Sequence, residues 1–158
     1  MKFKSVNETE NFIYKDCVIN EAHFTDVAVS FIVEALIVKA SNSQNTNYTN
    51  SYAGDTEITF IRSVIEKITL LGYNKYDAND NLLEKVEDKE VSMSLNEMKT
   101  KFTGAYLTEI IREEEKYKVY FEIPDEDPSA VTDEYEMIIT CDEVVIEWDK
   151  YLNRVQEM

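Results

Sequence analysis

A single histidine, two cysteines, three glycines and two prolines are all that 158 residues contain of those types. Each shortage excludes something. One histidine cannot build a multi-histidine zinc site, and two cysteines cannot supply four thiolates or a disulfide-dense scaffold. The glycines, Gly54, Gly72 and Gly104, are isolated, so no glycine-rich loop is present to cradle a phosphate. No segment approaches the ~18–20 apolar residues of a membrane-spanning helix. The longest candidate, Val27 to Val38, is broken by Ser30 and Glu34. The opening residues 1–8 contain Lys2 and Lys4 but no apolar run after them, unlike a secretory signal. The chain is therefore expected to be cytoplasmic, with Cys17 and Cys141 as free thiols. The nucleophile elbow, the metalloprotease helix and the dinucleotide fingerprint are all missing from the sequence.

Bases are also scarce. Sixteen Lys and Arg face 32 Asp and Glu, a net charge of −16. Phosphate backbones and anionic membrane surfaces are repelled by such a chain, so neither nucleic acid nor membrane is expected as a partner. The charge is uneven. Residues 1–108 hold 16 acids and 11 bases, net −5, whereas residues 109–149 hold 15 acids and three bases, net −12. Much Asn, Lys, Glu, Ile and Tyr with little Gly, Pro and Arg is the bias of an AT-rich bacterial genome.

What remains is 44% hydrophobic, enough for one domain spanning 1–158. Val27, Val29, Phe31, Val33, Ala35 and Ile37 share one strand parity. The β-branched content favours strand there and over 56–71. The competing reading is α+β, with helices at 27–40 and 56–71. Residues 12–20, 106–111, 117–123, 135–141 and 144–149 also read as strands. Asp77-Ala78-Asn79-Asp80-Asn81 between two short runs reads as a hairpin turn. The polar stretch Ser41 to Tyr52 reads as a long mobile loop. Ser94-Leu95-Asn96-Glu97 is a capping box, and Gly104 ends a short helix near 95–103. The expectation is a mainly β protein: an antiparallel meander forming a barrel, sandwich or strongly twisted sheet, with that one helix.

Chemistry-bearing groups are weak by comparison. Residues 77–88 begin like a calcium loop, but position 6 is Leu82 rather than Gly and position 12 is Asp88 rather than Glu. Asp125-Glu126-Asp127 with Asp133-Glu134 reads as a solvated acidic loop rather than a metal site. Cys17 and His23 share strand parity, but six residues at ~3.3 Å each separate them by roughly 20 Å, too far for a dyad. No cofactor, metal ligand or catalytic residue is assigned.

The favoured reading is a non-enzymatic protein-binding module, one form of which is a bacterial immunity or inhibitor protein. It presents acid to a basic protein partner through Glu113, Glu114, Glu115, Glu122, Asp125, Glu126, Asp127, Glu136, Asp142 and Glu143. Alternating turns would place Glu113–Glu115 and Asp142-Glu143 at one end and residues 125–134 at the other. Outward-facing Glu122, Glu136, Glu147 and Asp149 would join the two ends as a stripe. The alternatives are a small-molecule-binding β-barrel, marked by an apolar cavity above ~300 Å3, and a carboxylate-based hydrolase.

Overall fold

The computed structural model describes residues 2–124 and 132–154. In chain order the strands are β1 (Phe3–Val6), β2 (Phe12–Ile13), β3 (Cys17–Phe24), β4 (Ala28–Glu34), β5 (Ile37–Val38), β6 (Ser51–Ala53), β7 (Thr56–Ile61) and β8 (Val64–Leu70). There follow β9 (Tyr73–Tyr76), β10 (Leu82–Val86), β11 (Lys89–Val91), helix α1 (Leu95–Phe102), β12 (Tyr106–Glu113), β13 (Lys116–Ile123), β14 (Asp133–Thr140), β15 (Glu143–Trp148) and β16 (Tyr151–Arg154). The protein is mainly β, with one short helix among the described residues.

The helical alternative for 27–40 and 56–71 is overturned. Burial in β4 and β7 alternates with period two, placing Val29, Phe31, Val33, Ile58 and Phe60 in the core. Both strands are rich in β-branched side chains, which pack well on a pleated surface. Helix α1 forms where the capping box predicts: Ser94 Oγ accepts from the Glu97 N–H at 3.1 Å. Thr103 caps its C-terminus, and Gly104 follows at φ +87°, a conformation glycine adopts readily.

Ten strands form one antiparallel sheet in the order β1-β15-β7-β4-β3-β12-β13-β14-β8-β11. Phe60 on β7 and Tyr117 on β13 have ring centroids 6.0 Å apart. Four strand spacings of ~4.8 Å would hold them ~19 Å apart in a flat sheet, so the sheet folds on itself. The fold lies at β3–β12, where only Val18↔Tyr106 and Cys17↔Leu107 pair. Both strands carry bulges beside that corner, between Ile19 and Glu21 and between Leu107 and Glu109. Bulges bend strands and increase twist. Two five-stranded lobes therefore face each other, β1-β15-β7-β4-β3 and β12-β13-β14-β8-β11, while among the described residues β1 and β11 remain edges and no barrel closes.

The connectivity is a meander only through β3–β4 and β12–β13–β14. Consecutive β7 and β8 lie in different lobes, as do β14 and β15. These two crossovers run side by side, tied by the Asp142 N–H to the Ile61 carbonyl at 2.9 Å and by an Arg62–Asp142 ion pair. A bulge also moves His23. It reverses side-chain parity within β3, so Cys17 points into the core and His23 points out. The two never share a face.

Aromatic rings fill the space between the lobes. Phe102 of α1 lies 4.4 Å from Phe121 and 5.6 Å from Tyr135, and Phe31 meets Phe121 at 5.6 Å. A second group, Phe3, Phe12, Trp148 and Tyr151, brings β1 and β15 of the large sheet against β2 and β16 of the small sheet β16-β6-β5-β2.

The Asn/Ser-rich stretch is not an untethered loop. Asn45 Nδ2 donates to the carbonyls of Val38, Lys39 and Thr49, and buried Asn42 donates to Ser5 Oγ. The Glu8 carboxylate accepts from Ser5 Oγ, Ser43 N–H and Ser43 Oγ at 2.6, 3.1 and 2.7 Å. The turns that this composition codes for are present, and side-chain hydrogen bonds tie them to the rest of the chain.

Candidate functional site

The acids sort into two ends of the β12–β13–β14 meander, because the register Lys116↔Thr140 brings the β12–β13 turn beside the β14–β15 crossover. Glu113, Glu114, Glu115, Asp142 and Glu143 meet there. Glu113 pairs opposite Lys116 in register, leaving Glu114-Glu115 as a two-residue turn. Glu114 has φ 56°, a position that favours glycine.

This end is substantially neutralised. Lys118 Nζ lies 3.1 Å from Glu113 Oε2, Lys116 Nζ 2.7 Å from Glu66 Oε2, and Arg62 pairs with Asp142. Arg112 stacks over the Tyr117 ring and donates to the Glu114 carbonyl. Glu114, Glu115 and Glu143 make no ion pair among the described residues.

The opposite end differs. Glu122 of β13 sits directly across from Glu134 of β14, and Ile123 across from Asp133. Like charges placed opposite one another in an antiparallel ladder are destabilising. Among the described residues, Glu122, Asp133 and Glu134 have no cationic partner; the nearby Lys101 ammonium lies over the Tyr135 ring at 5.9 Å instead. Asp125, Glu126 and Asp127 lie outside the described residues.

The expected stripe between the ends is interrupted. Lys116 and Lys118 occupy the outward face of β13 between Glu122 and the turn. Glu136 is engaged by the Tyr120 hydroxyl, which donates to Oε2 at 2.7 Å. Burial, then that carboxylate, pushes the Tyr120 phenol up to about 12. Glu147 belongs to β15 in the other lobe, and Asp149 follows it, accepting from the Lys2 N–H.

Two further features gather at the Glu122–Glu134 end. One is an open groove of roughly 790 Å3 between α1 and the end of β13, lined by Met93, Asn96, Glu97, Lys101, Ile123 and others. It lies outside the aromatic core rather than between strands as a barrel cavity would. The other is the β9–β10 hairpin, rooted where the Leu71 N–H donates to the Glu134 carbonyl at 2.8 Å. Its exposed Tyr76, Leu82 and Leu83 were legible only as strand residues, since periodicity reports which face is apolar and not whether anything covers it.

The Asp77 carboxylate is used by its own turn: Oδ1 accepts from the Asn79 and Asn81 N–H groups, and Oδ2 from Asn81 Nδ2. These bonds, the one from Asn81 N–H foremost, hold its carboxyl below the usual range. Cys17 and Cys141 are free. Burial first, and then neighbouring carboxylates, push them up to about 12 and about 11, the opposite of what a nucleophilic thiol needs. No family model, curated protein or solved structure matches this chain.

Proposed function

We propose that this chain is a non-enzymatic, cytoplasmic bacterial protein that presents an acidic surface to a basic protein partner, an immunity or inhibitor protein being one concrete form. The observation that carries the reading is the opposed Glu122–Glu134 pair with adjacent Asp133. An arrangement that costs folding stability and has no ion-pair partner among the described residues is accounted for by a partner that supplies one. Charge of this kind acts chiefly on association rate and specificity.

The test is association with a basic probe protein, measured against salt. Glu122→Lys with Glu134→Lys should slow association at least tenfold, and a charge-matched reversal at Asp16 and Asp26 should slow it less than twofold. Equal effects would reduce the acid to a solubility device. An adjacent gene for a large secreted protein with a basic C-terminal domain would single out the immunity form.

The groove beside α1 supports a second reading, a small-molecule binder, because its volume exceeds the ~300 Å3 expected of ligand sites. An apolar dye that raises the melting temperature of the wild type, but not of Met93→Glu, would favour it.

A further inference from the structure

We propose that the β9–β10 hairpin is a docking arm, receiving an extended segment of a basic protein in which apolar side chains alternate with Lys or Arg. The sign of that partner's charge rests on the reading above; the arm itself rests on separate observations.

The hairpin stands alone. Among the described residues β9 and β10 pair only with each other, and every residue of the two strands except Val86 is exposed. An isolated two-stranded hairpin is marginal in water, so holding one out from the body has a cost. It also carries apolar side chains into solvent: Tyr73 is 40% exposed, Tyr76 54%, Leu82 54% and Leu83 61%. The register places Tyr76 directly across from Leu82, and the bulge after Leu82 adds Leu83 beside them. One apolar spot therefore forms at the outer end of the arm, next to its turn.

The arm is shaped in advance. Its turn is closed by Asp77 through both carboxylate oxygens and by the Asp77 N–H to the Asn81 carbonyl at 2.9 Å. Its root is clamped at Gly72, whose N–H donates to Asp88 Oδ1 at 2.7 Å. A Cβ at Gly72 would lie 1.9 Å from the Val86 carbonyl oxygen, so the two chains cross too closely for any side chain. A segment whose form is set before binding loses little entropy when it docks. Among the described residues the outer edges of β9 and β10 have no strand partner, and such edges accept an added strand.

Charge selects the occupant. Residues 73–90 hold six acids and three lysines, net −3, and the root adjoins Glu122, Asp133 and Glu134. A second copy would bring −16 against −16. A cationic strand with apolar alternate residues satisfies the charge, the bare edges and the Tyr76–Leu82–Leu83 spot together.

The test uses the full chain and two labelled peptides, one alternating Lys with Val and one with Ser in place of every Val, followed by fluorescence anisotropy. The Lys/Val peptide should bind wild type at least tenfold more tightly than the Lys/Ser peptide. Tyr76→Ser/Leu82→Ser/Leu83→Ser should erase that difference, and Leu83→Ser alone should reduce it, should the triple variant misfold. Unchanged Lys/Val binding in both variants would overturn the arm. Equal binding of both peptides to wild type, lost in Glu122→Lys/Glu134→Lys, would overturn the arm yet leave the acidic surface standing. Failure of both peptides to bind at low salt would remove the acidic-surface reading and the arm with it. Sedimentation showing a wild-type dimer that the triple variant lacks would replace the basic partner with a second copy.

Discussion

Single residues of this chain carry strain and titration that no pattern announces. Ala35, between β4 and β5, has φ 66°, in the left-handed region that costs a non-glycine residue roughly 1 kcal/mol. Ala35→Gly should therefore raise unfolding free energy by up to about 0.5 kcal/mol in a denaturant titration, the relief of strain exceeding the added chain entropy. The thiols give a second expectation. Folding raises the Cys17 and Cys141 pKa values, to about 12 and about 11. A group raised on folding contributes stability that is complete below its unfolded pKa and lost as pH rises through the folded value. The window here opens near the ordinary thiol value of about 8.5 and extends to those folded values. At pH 8 native protein should react with iodoacetamide more than about a hundredfold more slowly than unfolded protein, Cys141 before Cys17, because the thiolate is the reacting form. Burial of Cys17 was legible, since it lies in an apolar strand; Cys141, expected at the end of a strand over 135–141, is only half-buried and sits in the link between β14 and β15. The positive φ of Ala35 was not legible, because nothing in an alanine marks it.

Elements were legible where a local signal was doubled. Helix α1 had both a capping box and apolar spacing, and both survive in the Ser94 cap and in buried Met98 and Phe102. Strand β4 had alternation and β-branching together. The segment Ser41 to Tyr52 had only composition, and Asn and Ser serve a free turn and a tethered, hydrogen-bonded one equally well. What decides is a distant partner, Glu8, 35 residues from Ser43. Burial alone would raise the Glu8 pKa, but the bonds from Ser5 and Ser43 outweigh it and the carboxyl is lowered. A lowered carboxyl contributes stability that is present above its unfolded pKa, near 4.3, and lost as pH falls through the folded one. Glu8→Gln should cost about 1–2 kcal/mol at pH 7. The difference between variant and wild type should shrink as acid is added below pH 4; a constant difference down to pH 2 would show that the carboxylate charge is not what holds the segment.

At the scale of the whole molecule, the strands were legible and their partners were not. Each strand's periodicity is local, whereas the neighbours β7–β15 and β14–β8 are chosen by the fold at β3–β12 and the two crossovers beside it. The acidic site shows the same divide. Adjacent turns in register do gather Glu113–Glu115 with Asp142 and Glu143, as alternation of turns implies. Which end stays negative depends instead on how Lys116 and Lys118 of the β12–β13 hairpin are directed and on Arg62, a cation brought in by tertiary structure. The two ends should therefore respond differently. Glu113→Lys/Glu114→Lys/Glu115→Lys should slow association with a basic protein less, per charge reversed, than Glu122→Lys/Glu134→Lys does. Salt should move stability and binding in opposite directions. Screening over a Debye length of ~8 Å at physiological ionic strength weakens repulsion within a chain of −16, so the melting temperature should rise with salt. The same screening should slow association with the partner. Neutralising the opposed pair by Glu122→Gln should reproduce the first effect, by about 0.5 kcal/mol, together with the second, at fixed salt. Stability gained without any loss of association rate would mean that the Glu122–Glu134 pair faces no partner.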